Sequence, residues 1–230
     1  PSLPPSPPSP PLTNFQATAS SAVPGLLLQA SSLPTSSLPP GEETTQTLRV
    51  VCMEPFDSSS GGLEVTIEFT VVEEGGREGG VVRYTLPVAL PVSVLHFVWG
   101  LKMSKSEFLS HWQEMTVPEV TDTFSIEGEG EEEGGREEGL VTLLTQSFHL
   151  ELVQELCVKV EDVQTWTLAG SLETGSLSPQ GKQLRVGALI RLEIGGEREG
   201  GRKGYRLTVR SVHPTCAMAI FKAVKQQLGG

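Results

Sequence analysis

Several features are scarce in these 230 residues, and each scarcity narrows the field. Cysteine occurs three times, as Cys52, Cys157 and Cys216, an odd number with no Cys-x-x-Cys pair. That argues against a disulfide framework and suits a reducing compartment. His96, His111, His149 and His213 keep no metal-ligand spacing with one another or with cysteine. No apolar run reaches the length of a membrane span. The short apolar stretch 23–30 contains Pro24 and Gly25 and follows no basic segment, so it does not read as a signal peptide. Positive charge is the minority, with 17 Lys and Arg against 28 Asp and Glu and a net charge of −11. Such a balance argues against a general attraction to nucleic acid or anionic lipid. Seven of the Glu and one Arg fall within residues 127–138, so much of the excess belongs to one loop and a basic patch elsewhere stays open.

Catalytic signatures are scarce too. The nearest approach to a phosphate loop, residues 175–182, has five residues between its glycines instead of four, and Gln183 stands where Ser or Thr would hold magnesium. Gly128 and Gly130 open a dinucleotide fingerprint that then runs into Glu, whose charge would repel a pyrophosphate. No Gly-x-Ser-x-Gly elbow is present. We therefore read a non-enzymatic chain with no cofactor and no metal site. It lacks an initiator Met, and we read it as part of a longer, soluble, intracellular protein.

What is present divides the chain in three. Residues 1–41 hold eleven prolines, many serines and no charged side chain. That composition buries too little apolar area to offset chain entropy, so residues 1–46 read as a Pro/Ser-rich disordered linker. From Thr47 a period of two sets in. Leu48, Val50 and Cys52 alternate with Arg49, Val51 and Met53, and Leu63, Val65, Ile67 and Phe69 alternate with Glu64, Thr66 and Glu68. Further strands are expected at 81–86 and 88–97, with Pro87 and Pro91 marking edges. Residues 47–91 thus form a partial antiparallel β-sandwich. The rest, 92–230, is an α+β platform, an antiparallel sheet with flanking helices. A helix over 104–115 is signalled by the Ser104/Glu107 capping box, a Met103–Phe108 staple and an apolar stripe at Phe108, Leu109, Trp112 and Met115. Strands follow at 141–153, 165–172, 188–194 and 205–210. A last helix opens at Pro214 and runs to Leu228. Glu-Gly-Gly-Arg-Glu recurs at 74–78 and 133–137, and 199–202 repeats its first four letters, as expanded surface loops.

Two patterns carry chemistry. If 188–194 and 205–210 pair, alternation places Arg191, Glu193, Arg206 and Arg210 on one uncovered sheet face, a set able to grip a carboxylate bidentately or to stand as an ordinary solvated face. Phe108 and Trp112, four residues apart on the helix, stand side by side, either as core or as an aromatic hot spot.

Residues 205–210 (Tyr-Arg-Leu-Thr-Val-Arg), 190–193 (Ile-Arg-Leu-Glu), 103–112 (Met-Ser-Lys-Ser-Glu-Phe-Leu-Ser-His-Trp) and 81–94 resemble the C-terminal appendage, or ear, of alpha-adaptin, a large subunit of the clathrin adaptor complex. The similarity spans about residues 47 to 228. It implies a β-sandwich followed by a platform that binds short motifs, Asp-Pro-Phe, Asp-Pro-Trp and Phe-x-Asp-x-Phe, on endocytic accessory proteins. Carried over, it implies that the motif's ring packs by Phe108 and Trp112 and that its acid meets Arg191 and Arg206, with Glu193 bordering the site. It also implies other adaptor subunits as partners through a trunk outside this chain, no nucleic acid, no membrane insertion, and a cytoplasmic location at coated membranes. Leu109 replaces the family's second helix Phe, and His111 and Gln113 replace basic neighbours of the Trp, which implies a less positive groove. With few sandwich strands recognisable, the family's second site, on the sandwich, is not expected. A beta-type or coatomer-type ear, and a structural fragment without binding activity, are the alternatives.

Overall fold

A computed structural model describes residues 11–21, 23–33, 36–57, 63–73, 80–115, 119–125, 139–198 and 202–228. The chain is α+β, dominated by antiparallel sheets, and divides into two units. The first holds six strands before Pro91; the second takes the chain from Val92 onward, together with Val23–Gly25 and the segment that begins at Cys52.

In the first unit the strands are β1 (Leu12–Ser21), β2 (Leu26–Ala30), β3 (Ser37–Leu38), β4 (Leu48–Cys52), β5 (Leu63–Glu73) and β6 (Gly80–Leu90). One sheet runs β3-β1-β5-β6, and β2 pairs with β4. Alternation in β5 builds its apolar face, and register extends it: Val65 lies opposite Ala19 and Val88, and Phe69 opposite Tyr84, with their rings stacked 5.2 Å apart. The polar face carries Glu68 and Arg83, paired at 2.5 Å. This corrects two expectations. Residues 1–46 are not all linker, because β1, β2 and β3 lie among them. The prolines crowd into 1–11 and then recur singly or in pairs, leaving 12–23 without any; averaging over the segment hides a strand. Its partner β5 is about fifty residues away, with Thr13 and Thr70 hydroxyls 2.9 Å apart. Nor does Pro87 divide two strands. It sits within β6, an edge strand, where a missing N–H is tolerated. The expected strand 88–97 therefore splits, and Val94–Phe97 is a 3₁₀ turn capped by Ser93.

The second unit contains β7 (Val98–Gly100), helix α1 (Lys105–Glu114), β8 (Glu119–Phe124), β9 (Glu151–Leu152), β10 (Val158–Val160), β11 (Val163–Leu177), β12 (Gln183–Arg198), β13 (Arg202–Ser211) and helix α2 (Pro214–Gln227). The main sheet runs β10-β11-β12-β13-β8, with β7 and β9 also on β11. One face is largely apolar, with Asp122 and Ser211 among its polar members. Leu168, Ile190, Leu192, Leu207 and Val209 are fully buried, as are Ala217, Ile220 and Val224 of α2. Pro214 occupies the first turn of α2. The other sheet face bears α1. Gly195 closes a bulge in β12 at φ +144°, where a Cβ would lie 2.1 Å from the Asp162 carbonyl oxygen, so only glycine fits.

Residues 139–147, which overlap the first half of the expected strand 141–153, are helical and end in a π-helical turn, Leu143–Ser147. Leu140, Leu144 and Phe148 recur every fourth residue and are all buried, a helical period masked by the general apolarity of the stretch. The Gly/Glu repeats, including the acidic stretch 127–138, lie outside the described residues except for Arg202.

Candidate functional site

Helix α1 begins as its sequence dictates. The Ser104 hydroxyl accepts from the Glu107 N–H at 3.3 Å, and the Glu107 carboxylate accepts from the Ser104 N–H at 2.7 Å. The Ser104 N–H and then its hydroxyl, both donating to the Glu107 carboxylate, hold that carboxyl below its usual range. The entry angle so fixed lays Phe108 onto the sheet, where it forms a buried cluster with Val153, Ala169 and Leu189. Met103, Trp112, Met115 and Leu156 pack around that cluster, half-buried. The arginine-bearing face is therefore not uncovered, as alternation alone suggested: α1 closes it at Leu189 and leaves it open toward Arg191.

At that border is a cleft of about 210 Å³. Phe108, Leu109 and Trp112 line it from the helix, Thr165, Thr167 and Arg191 from β11 and β12, and Lys105 and Glu155 stand at its rim. The rings of Phe108 and Trp112 stack at 5.4 Å and 18°. Of the five residues singled out from sequence, the cleft thus gathers Phe108, Trp112 and Arg191. Glu193 and Arg206 adjoin rather than line it. They face each other across β12 and β13. Glu193 accepts from Arg191 at 2.9 Å and approaches Arg206 at 3.7 Å. The arrangement is an arginine–glutamate–arginine strip running off an aromatic step.

Sequence reasoning placed Arg210 on the arginine face without joining it to Trp112, and it left out Glu155. Arg210 places its guanidinium carbon 4.3 Å from the centre of the Trp112 ring, donates to the Trp112 carbonyl, and binds Glu119 through Nε at 2.6 Å. It fixes the indole from behind, through a cation–π contact. Its register position opposite Leu189, the residue under α1, is the signal that could have found it. Glu155 accepts the Lys105 backbone N–H at 3.0 Å, tying the 154–156 turn to the start of α1 and shaping one wall; a bond across fifty residues leaves no local trace. No protein-family model matches this chain, and no curated protein matches it significantly.

None of the four histidines lines this cleft, although His111 is on α1. The His96 Nδ1 accepts from the Ser93 N–H at 3.0 Å, and the His149 ring stacks 6.0 Å from Trp99. Chemically, the cleft offers an apolar slot sized for a single aromatic ring, guanidinium donors at one end, and a carboxylate already seated on them.

Proposed function

We propose that this chain is a peptide-binding appendage of a clathrin adaptor alpha subunit, which recruits endocytic accessory proteins through short acidic-aromatic segments during vesicle-mediated transport. The observation that carries the reading is the cleft where the stacked Phe108–Trp112 pair meets Arg191. An aromatic side chain of a peptide would enter against Trp112, and an acidic neighbour two or three residues away would reach Arg191 and Arg206. The alpha-adaptin likeness of 103–112, 190–193 and 205–210 falls on these same residues. Among the described residues no helix is long and apolar enough to cross a membrane, so this chain would reach a coated membrane through its partners.

One ring and one or two charge-assisted bonds give an affinity of about 10 µM or weaker. Partners carrying several linked motifs would then supply avidity. The test is titration of a fluorescent Asp-Pro-Phe peptide by polarisation. Trp112→Ala should weaken binding by about 2 kcal/mol or more, as truncated hot-spot aromatics do, with circular dichroism showing the fold retained. Arg191→Ala and Arg206→Ala should each weaken binding and flatten its salt dependence. Wild-type affinity in all three folded variants would move the site elsewhere.

A further inference from the structure

A second cleft lies within the first unit, between the sheet that carries β1 and β5 and the β2–β4 pair, and its volume is about 300 Å³. Ala19, Val65 and Ile67 wall it on one side, Leu33 and Leu48 on the other. Facing sheets ordinarily interdigitate until few voids exceed a water molecule. Here a small residue, Ala19, stands on the apolar face of β1, and only two short strands cover the sheet. The gap that results is near the lower end of the size range of ligand pockets, about 300 to 1,000 Å³. An apolar cavity of about 150 Å³ accepts benzene, so this one has room for two fused rings or a medium-length chain.

One polar atom is left over. The Thr44 hydroxyl belongs to a residue that lines the cleft, and it is buried without a hydrogen-bond partner among the described residues. Buried hydroxyls nearly always have one. A trapped water is a poor answer, since it needs two to four polar neighbours. Two donors nearby are engaged elsewhere: the Gln46 side-chain nitrogen donates to the Ser31 carbonyl at 2.6 Å, and the Thr18 hydroxyl donates to the Thr66 carbonyl at 3.4 Å. Among the described residues no charged side chain lines the cleft, so none of them would balance an ionised ligand.

We infer that this cleft binds a small, neutral, largely apolar molecule carrying one hydroxyl or carbonyl oxygen, with the hydrocarbon between the two sheets and the oxygen on Thr44. The site is independent of the α1 cleft and of the function proposed for it.

The experiment titrates the full chain with 2-naphthol, followed by its fluorescence, and with 2-methylnaphthalene, which has the same shape and no hydroxyl. Wild type should bind 2-naphthol saturably at a single site and more tightly than 2-methylnaphthalene. Thr44→Val should weaken 2-naphthol about threefold to tenfold, the worth of one buried hydrogen bond, and leave 2-methylnaphthalene unchanged. Ala19→Phe, which fills the cleft, should weaken both at least tenfold, and Trp112→Ala should change neither. Absence of saturable binding to wild type overturns the inference. So does a Thr44→Val protein that treats both probes as wild type does, a comparison that decides the matter even if Ala19→Phe fails to fold.

Discussion

Arg191 and Arg206 share one carboxylate, Glu193, and both guanidinium groups are about half exposed, at 47% and 59%. Exposed pairs of this kind are worth at most about 1 kcal/mol. An incoming peptide acid would therefore exchange with Glu193 at small cost rather than meet bare arginines, and under the proposed function Glu193 would act as an internal competitor. Glu193→Gln should raise affinity for an Asp-Pro-Phe peptide about threefold to fivefold, within that energy range, and steepen its salt dependence. Polarisation at two ionic strengths measures both. A fall in affinity would mean instead that Glu193 orients the arginines. The thiols are a second residue-scale matter. Burial, reinforced by nearby Cys216, pushes Cys52 up to about 12, and burial pushes Cys216 up to about 11 against a hydrogen bond with Ser211. Cys157 is also raised by burial, but it is only partly covered. Thiolate is the reactive form. At pH 8 a disulfide reagent such as Ellman's should thus label Cys157 first and reach Cys52 and Cys216 only on denaturation. Fast labelling of all three in the native protein would contradict this burial.

At the scale of elements, α1 depends on its cap. Ser104→Ala removes the hydroxyl that both accepts from Glu107 and donates to it. It should lower the unfolding midpoint of the second unit, followed by tryptophan fluorescence, by about 2–4 °C. The pH dependence has a definite sign. The folded Glu107 carboxyl is depressed, so its contribution is fully present above the unfolded carboxylate range, around 4.3, and is lost as pH falls through the lower folded value. The gap between wild type and variant should therefore narrow below about pH 4; a constant gap would remove Glu107 from the cap. Local signals of this kind are why both helices were legible in the sequence. Strict alternation likewise revealed β5, β12 and β13, and with them the face shared by Arg191, Glu193 and Arg206. The helical run 139–147 was missed because Val, Leu and Thr suit either period. Strand β8 was missed because Glu119, Thr121, Asp122 and Thr123 look like a loop until β13 pairs with them. The site was legible as two strips, the Phe108–Trp112 step and the arginine face. What joins them, α1 seated over Leu189 and Arg210 seated on Trp112, depends on packing between segments about a hundred residues apart, and no window of sequence carries it.

At the scale of the whole molecule, the largest departure from the sequence reading is β1. A linker would contribute nothing to the first unit, whereas β1 pairs with β5 over Gln16 to Ser21 and beyond a bulge at Thr13 and Leu12. Asn14 takes the left-handed backbone at φ 50° that the bulge needs, a conformation asparagine tolerates. Without β1, the inner edge of β5 loses its main-chain partners, and Val65 and Ile67 lose cover on one flank. Deleting residues 1–21 should therefore turn the slowly exchanging β5 amides that face β1 into fast ones, and reduce the strand signal in circular dichroism. The candidate peptide cleft draws every lining residue from the second unit. Trp99, Trp112 and Trp166 also lie there, so their fluorescence reports that unit alone. Affinity for an Asp-Pro-Phe peptide should accordingly stay within about twofold of the full chain, the scale on which remote changes leave a site alone. Hydrogen exchange resolved by mass spectrometry, run beside the polarisation assay, separates the two outcomes. Unchanged protection of β5 would return residues 1–46 to the role of a tether. Lost protection with intact binding would make β1 part of the first unit's sheet and leave recognition to α1, β11 and β12.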